Sequence, residues 1–389
     1  MSSKSYKRRK FIKRCVVGGC GIALGIKTFN DFVISDPDYG VQSGFYNDAP
    51  ETLDKWSKEA DHYEHYKKMI KCNLCPHECI LRENDRGFCR TRVVKQKKLY
   101  TVAYGNPCAV HIDPVEKKPL FHYLPSTPIL SIATAGCNLR CLNCQNWEIS
   151  QSRPRDTKNY DLPPEELVVA TNARKIPSIA YTYSDPIIYY EYVIDSAMIA
   201  KERGIKNVLV TAGYINKEPL QRLCKVIDAA NVDLKSFENS FYKKVSKATL
   251  APVLNCLKIM RDEGVWIEIT RLMVPTLSDD IDDIKRMCEW IVKELGEYTP
   301  LHLSRFHPDY KLKMLFPTPV DTLVKAREAA ISAGLQFVYV GNIPGHNAED
   351  TICPQCKKTI INREGYHIHK NDLEFGLCKC GKIIPGLWI

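Results

Sequence analysis

Cys137-Asn138-Leu139-Arg140-Cys141-Leu142-Asn143-Cys144 follows directly on the apolar run Ile129 to Ala135 and sets three thiols at C-x3-C-x2-C spacing. Three thiolates this close can hold three irons of a cubic 4Fe-4S cluster, and the next cysteine in the chain is as far away as Cys224. The fourth iron of such a cube stays open, ready for a ligand that offers an amine and a carboxylate. The plainer alternative is a zinc knuckle or a set of reduced structural thiols. Zinc sites normally show a fourth local Cys or His, which this stretch lacks.

The flanking residues carry a resemblance. Ala135-Gly136-Cys137-Asn138-Leu139-Arg140-Cys141-Leu142-Asn143-Cys144-Gln145-Asn146-Trp147-Glu148 resembles the radical SAM enzymes related to pyruvate formate-lyase activating enzyme, and among them the group called the AmmeMemoRadiSam system radical SAM enzyme. The likeness runs from Lys71 to Ile389. It implies that the methionine end of S-adenosylmethionine (SAM) closes the fourth iron. An electron from the reduced cluster then splits the sulfonium to give a 5'-deoxyadenosyl radical. The resemblance departs at Asn143, where radical SAM proteins often place an aromatic residue; this weakens adenine stacking there without touching the iron ligands. Implied partners are a low-potential electron donor of flavodoxin or ferredoxin type and AMMECR-like and Memo-like proteins. Implied substrates are a glycine Cα in a partner protein, as in glycyl radical activation, or another protein or nucleic-acid modification. The rival from a different class is a non-catalytic iron-sulfur electron carrier or zinc-binding scaffold. That rival needs a closed coordination sphere at every metal, and no fourth cysteine stands beside Cys144.

A chain of 389 residues with 44% hydrophobic content can bury a sizeable core and suits one large domain with appendages. The net charge of +10 is concentrated: eight Lys and Arg and no acid lie within residues 1–30, which leaves only +2 for the rest. Global charge is therefore no argument for a nucleic-acid partner. Arg8-Arg9-Lys10-Phe11-Ile12-Lys13, followed by the mildly apolar Cys15 to Ile26, resembles a twin-arginine export signal and is too short and glycine-rich for a membrane span. A basic tail is the alternative, since no clear A-x-A cleavage site follows. The signal implies a periplasmic or membrane-associated location in preference to a cytoplasmic one. Export of proteins already folded around cofactors suits an iron-sulfur passenger, whereas strongly reducing chemistry is more at ease in the cytosol. Residues 31–50 read as a linker, and Glu51 to Ile70, charged throughout, is compatible with a helix.

Seventeen cysteines in a chain this large, clustered at metal-like spacings, point to metal sites and not to a disulfide scaffold. Cys72, Cys75 and Cys79 lie in C-x2-C-P-x2-C with Cys89 ten residues on, and four soft ligands fit either zinc or a fully ligated iron-sulfur cluster. A closed sphere there suits a structural or electron-relaying role. At the other end, Cys353 and Cys356, then Cys378 and Cys380, resemble the two knuckles of a zinc ribbon. The second knuckle is short by one residue, so His367 or His369 could replace a thiolate. Cys224, Cys256 and Cys288 fall in helical patterns and are expected to be packed thiols.

Between these ends, β-rich runs alternate with helical patterns: Ile129 to Ala135, Ser178 to Tyr183, Asn207 to Thr211, Asn231 to Lys235, Trp266 to Val274, Pro300 to Phe306 and Phe337 to Val340. The pattern predicts an α/β fold with parallel strands, a partial (β/α)6-type radical SAM barrel with an extra strand or a more closed version. Helices are expected over Glu191 to Arg203 and Ile281 to Leu295, each stopped by a glycine. The expected organisation is a signal or tail over 1–30, linker and helix over 31–70, a Cys-rich segment over 71–125, the barrel over 126–345 and a zinc-ribbon-like module over 346–389.

In a parallel barrel the chemistry gathers at the carboxyl ends of the strands. The resemblance places Thr182, Ser184 and Asp185 against the SAM ammonium, Thr211 near the ribose, and Asp233 and Lys235 by the SAM carboxylate and reaction centre, with Arg271 and His302 around the same pocket. Asp185 stands where the family usually has Glu, so Ser184 or a water is expected to share its contact. Taken singly, an Asp or Thr after a strand is often a helix cap and an Arg or His within one a satisfied core residue. Asp113 to Leu120 also resembles the family but carries no evident chemistry, and its default reading is a solvated charged segment.

Overall fold

The structure, a computed structural model, describes residues 52–343 and 347–388; the twin-arginine-like stretch and the linker lie outside them. Its centre is one eight-stranded sheet built from β7 (Ala109–Pro114), β8 (Pro128–Ala133), β9 (Ser178–Tyr181), β10 (Lys206–Thr211), β11 (Ala229–Asp233), β12 (Trp266–Met273), β13 (Leu301–Arg305) and β14 (Val338–Gly341). Spatial order follows chain order from β7 to β14. The seven strands from β8 onward are mutually parallel, and β7 alone runs antiparallel. Parallel strands need long crossovers. Here these hold α1 (Trp147–Ser150) and α2 (Pro164–Ala173), α3 (Tyr190–Glu202), α4 (Lys217–Cys224), α5 (Asn239–Phe241) and α6 (Leu250–Asp262), α7 (Ile281–Glu294) and α8 (Val320–Ser332).

The strands read as near-continuous apolar runs because both faces are covered: every residue of β9, and every residue of β8 after Pro128, is buried. The expected helix stops hold. Gly204 and Gly296, just past α3 and α7, take φ of +72° and +106°, where a side chain would strain. At its other end α7 is capped by Asp280, whose carboxylate accepts from the Asp283 N–H at 2.9 Å. Cys224, Cys256 and Cys288 are buried, as expected of packed thiols. No helix among the described residues is long and apolar enough to cross a membrane.

Two expectations are corrected. The helix-compatible stretch before Cys72 is a set of short strands, β1 (Lys58–Glu59), β2 (Tyr63–Tyr66) and β3 (Met69–Cys72). His62 and Lys67 adopt φ of 58° and 56°, which breaks a helix, and Glu64 sits opposite Lys71 across the hairpin, where charge attraction supports the pairing. The three remaining N-terminal strands are β4 (Ile80–Leu81), β5 (Arg92–Lys95) and β6 (Lys98–Thr101). The second correction concerns Asp113 to Leu120, which is not solvated: Asp113, Val115, Glu116, Lys118 and Leu120 are all buried. Val115, Leu120, Tyr123 and Leu124 pack against Ile129, Ala180, Val208 and Ala229, filling the end of the sheet where the parallel strands begin.

After β14 the chain forms β15 (Thr351–Ile352), β16 (Thr359–Glu364) and β17 (His367–Asn371), an antiparallel sheet. Its core joins the main sheet, since Cys353, Ile360, Cys378 and Ile384 pack with Phe121, Phe337 and Tyr339. The guanidinium of Arg363 reaches back to donate to the Phe121 carbonyl at 2.8 Å.

Candidate active site

The loop Cys137–Cys144 leaves the carboxyl end of β8 and is held by backbone bonds along its length. The Cys137 N–H donates to the Cys89 carbonyl at 3.2 Å, that of Arg140 to Ser246 at 2.9 Å and that of Leu142 to Val245 at 3.1 Å, while Leu142 accepts from Lys311 at 3.1 Å. Val245 and Ser246 belong to a π-helical turn, Tyr242–Ser246, a rare form that often marks functional sites. Gly136 is required at the loop's start. Its φ is +112°, and a Cβ there would stand 2.7 Å from the Cys89 oxygen.

Cys137, Cys141 and Cys144 open onto a cavity of ≈ 450 Å³ at the carboxyl ends of the parallel strands. That volume falls within the range of small-molecule and cofactor sites. Thr182, Ser184, Asp185, Thr211, Asp233, Lys235 and His302 all line it, so seven of the eight expected strand-end groups converge. Asp185 is buried and accepts from the N–H groups of Ile187 at 3.1 Å and Ala212 at 2.9 Å and from the Thr211 hydroxyl at 3.1 Å. It thus caps the turn Pro186–Tyr189 and ties the ends of β9 and β10 together. Burial raises its pKa above the ordinary carboxylate value against the lowering effect of these donors. Ser184 donates to the Thr134 carbonyl at 2.7 Å, and Lys235 pairs with Asp233 at 2.7 Å.

Arg271 is the exception and is corrected here. Thr270 and Leu272 line the cavity, and the two-residue period of the strand turns Arg271 to the opposite face. There it is fully buried, pairing with Asp283 of α7 at 2.7 Å and donating to the Ser278 carbonyl at 2.8 Å, so it braces helix against sheet.

Several cavity residues escaped sequence reading. Glu116, Lys117 and Lys118 form part of the wall. Asp113 accepts from Lys118 at 2.6 Å, from Lys117 at 2.9 Å and from the Tyr183 hydroxyl. Burial lowers the Lys118 pKa to about 8 despite the pull of Asp113. His302 is fixed by Glu268 at 2.7 Å and stacks on Tyr339, another wall residue, at 5.2 Å between ring centres. Among the described residues the buried Oδ1 of Asn143 and Oε2 of Glu116 have no hydrogen-bond partner, and both residues line the cavity. A local signal for Glu116 and Lys118 did exist, in a charged run interleaved with apolar Val115 and Leu120.

The thiol groups differ in geometry. Among the described residues, the only set of three or more Cys, His, Asp or Glu whose ligand atoms all lie within 4.8 Å of one another is Cys353, Cys356, Cys378 and Cys380, which could hold a metal ion. His367 and His369 stand outside it, so the short second knuckle needs no histidine. Cys137, Cys141 and Cys144 are spread more widely than one ion would hold them, which fits the separate irons of a cluster. Cys72, Cys75, Cys79 and Cys89 line a cavity of ≈ 20 Å³ beside Asn138.

Comparison with known proteins matches residues 131–291 to the Radical SAM superfamily. The uncharacterized protein MJ0808 of Methanocaldococcus jannaschii is 47% identical over 331 residues, covering 84% of this chain and 98% of that protein. The pyruvate formate-lyase-activating enzyme of Clostridium pasteurianum is 25% identical over 198 residues, covering 46% of this chain and 79% of that enzyme. A crystallised domain of the corresponding enzyme from Bacteroides vulgatus aligns with a TM-score of 0.38 at 15% identity, over 42% of this chain and 98% of that domain.

Proposed function

This chain belongs to the Radical SAM superfamily, and on that premise we propose that it holds a 4Fe-4S cluster on Cys137, Cys141 and Cys144 and takes a hydrogen atom from a carbon centre of its substrate. The cluster and SAM, when bound, supply reductive cleavage of the sulfonium and the 5'-deoxyadenosyl radical. The observation that carries this reading is the convergence of three separated thiols with Thr182, Asp185, Thr211, Asp233 and Lys235 on one cavity. We read the seven parallel strands as the partial barrel that positions them.

The residues divide the work by chemistry. Asp185, with Ser184 beside it, positions the strand ends against the SAM ammonium. Thr182 lines the same ammonium side, Lys235, held by Asp233, offers the cation for the carboxylate, and Thr211 serves the ribose side. The unpaired oxygens of Asn143 and Glu116 suit donors on SAM or substrate. His302, oriented by Glu268, lines the same cavity and is offered to the substrate. The likeness to activating enzymes supports a glycine Cα of a partner protein as a substrate class; membership of an AmmeMemoRadiSam system, with AMMECR-like and Memo-like partners, rests on the resemblance of residues 135–148 alone. We assign zinc to the C-terminal thiol quartet.

Electron paramagnetic resonance of the dithionite-reduced protein tests the site. Adding SAM should shift the cluster signal, because SAM becomes a ligand of the open iron, and the Cys144→Ala variant should lack that response. A reduced cluster whose signal ignores SAM at saturating concentration would end this reading.

A further inference from the structure

We propose that Cys72, Cys75, Cys79 and Cys89 hold a second iron-sulfur cluster, joined to the Cys137 site through the backbone of Cys89. Its relay role rests on the radical SAM reading above; its existence does not. Four thiols alone would suit zinc or iron, but two cysteine quartets in one chain allow a comparison. Tetrahedral zinc with Zn–S of about 2.3 Å sets its sulfurs about 3.8 Å apart. In the C-terminal quartet, sulfur pairs stand 3.6 Å (Cys353 and Cys380), 3.9 Å (Cys356 and Cys378) and 3.6 Å (Cys378 and Cys380) apart. Among the described residues no three of the N-terminal thiols share the 4.8 Å limit that the C-terminal set meets, although all four face one cavity. Thiols gathered round a common space, yet too wide for one ion, match a cluster that sets several irons between its ligands.

The surroundings suit a redox group. Leu74, Phe88, Ile187 and Ile188 keep the cavity apolar, which limits solvent access. The Cys79 sulfur accepts from the Phe88 N–H at 3.5 Å, and the Thr91 hydroxyl, which also reaches the Ile188 carbonyl at 2.8 Å, stands 3.2 Å from the Cys89 sulfur; hydrogen bonds to sulfur tune cluster potentials. The link to the central loop is built at several points. The Cys89 carbonyl accepts from the Cys137 N–H at 3.2 Å, the His77 ring bonds the Asn138 carbonyl at 2.7 Å, and the Arg140 guanidinium lies 4.0 Å from the Phe88 ring centre. One hydrogen bond therefore bridges a ligand of one site to a ligand of the other. The electron count closes simply. A low-potential one-electron donor reduces the outer cluster, which returns to its oxidised state as it passes that electron to the inner one; no proton moves.

Metal and acid-labile sulfide analysis of the anaerobically purified full chain tests this, with wild type set beside a variant carrying Cys137→Ala, Cys141→Ala and Cys144→Ala. The variant should keep roughly half of the wild-type iron and sulfide. It should also keep a reducible paramagnetic signal that is indifferent to SAM. Iron without sulfide, zinc in its place, or no metal beyond the C-terminal ion would overturn the proposal. Wild type provides a check that does not depend on the variant's folding. Its two reduced clusters should show spin–spin broadening that disappears when Cys72, Cys75, Cys79 and Cys89 are replaced by serine, and a plain sum of two isolated signals would refute their adjacency. If the residual cluster is present but the wild type fails to cleave SAM, the second site stands and the catalytic reading falls.

Discussion

Asp185 joins three donors from two strand ends, so its removal loosens the turn that faces SAM while leaving the iron ligands untouched. Asp185→Ala should retain the cluster absorbance and lower SAM affinity. Loss of one charge-assisted hydrogen bond, about 1.5 to 3 kcal/mol, corresponds to roughly tenfold to over a hundredfold in dissociation constant. Equilibrium SAM titration checks this, and unchanged affinity would remove Asp185 from the site. Arg271 makes the opposite case. Its ion pair with Asp283 is buried, so Arg271→Met leaves that carboxylate to the half-exposed Arg286, the Ser236 hydroxyl and the Phe237 N–H alone, and should destabilise by up to about 3 kcal/mol in denaturant melts. The folded fraction should bind SAM as wild type does. Sequence resemblance placed both residues in the pocket because both lie near strand ends. Only the strand's parity, fixed by which face of β12 packs on α7, separates them.

Among the elements, the segment from Asp113 to Leu120 departs furthest from its sequence reading. Four charged residues in eight suggest water, yet Asp113 serves Lys117, Lys118 and Tyr183 together, and burial of such a network follows from its mutual satisfaction. A titration follows from the geometry. The Lys118 pKa is about 8 when folded against 10.5 ordinarily, so between those values the unfolded chain binds more protons and stability rises with pH. The penalty for charging Lys118 is thus in full force below pH 8 and is relieved above it. Relative to Lys118→Met, wild type should gain stability as pH moves from 7.5 towards 10; melts that differ by a constant amount across that range would contradict the assignment. The C-terminal sheet offers a second test. Because Cys353 and Cys378 sit in the same apolar cluster as Phe121 and Tyr339, Cys353→Ser with Cys356→Ser should lose about one zinc per chain and lower the melting temperature. Iron content should stay near the wild-type value, and joint loss of iron would mean that this module belongs to the cluster site.

At the scale of the whole molecule, what the sequence showed was what is local. Each cysteine group declared itself by spacing, and the alternation from Ile129 to Val340 laid out seven parallel strands in order, because parallel strands buried on both faces leave continuous apolar runs. What it hid was contact at long range. Nothing in the chain announces that Cys89 meets Cys137, that the π-helical turn at Tyr242–Ser246 receives the cluster loop, or that Phe121 bridges the main sheet to the C-terminal thiols. The account depends most on one claim, that Cys137, Cys141 and Cys144 hold a cluster with an open iron beside a SAM cavity. Chromatographic detection of 5'-deoxyadenosine after anaerobic reduction with dithionite in the presence of SAM tests it most directly. Wild type should form 5'-deoxyadenosine and methionine, and the Cys141→Ala variant should form neither; SAM cleavage by that variant at the wild-type rate would contradict the account.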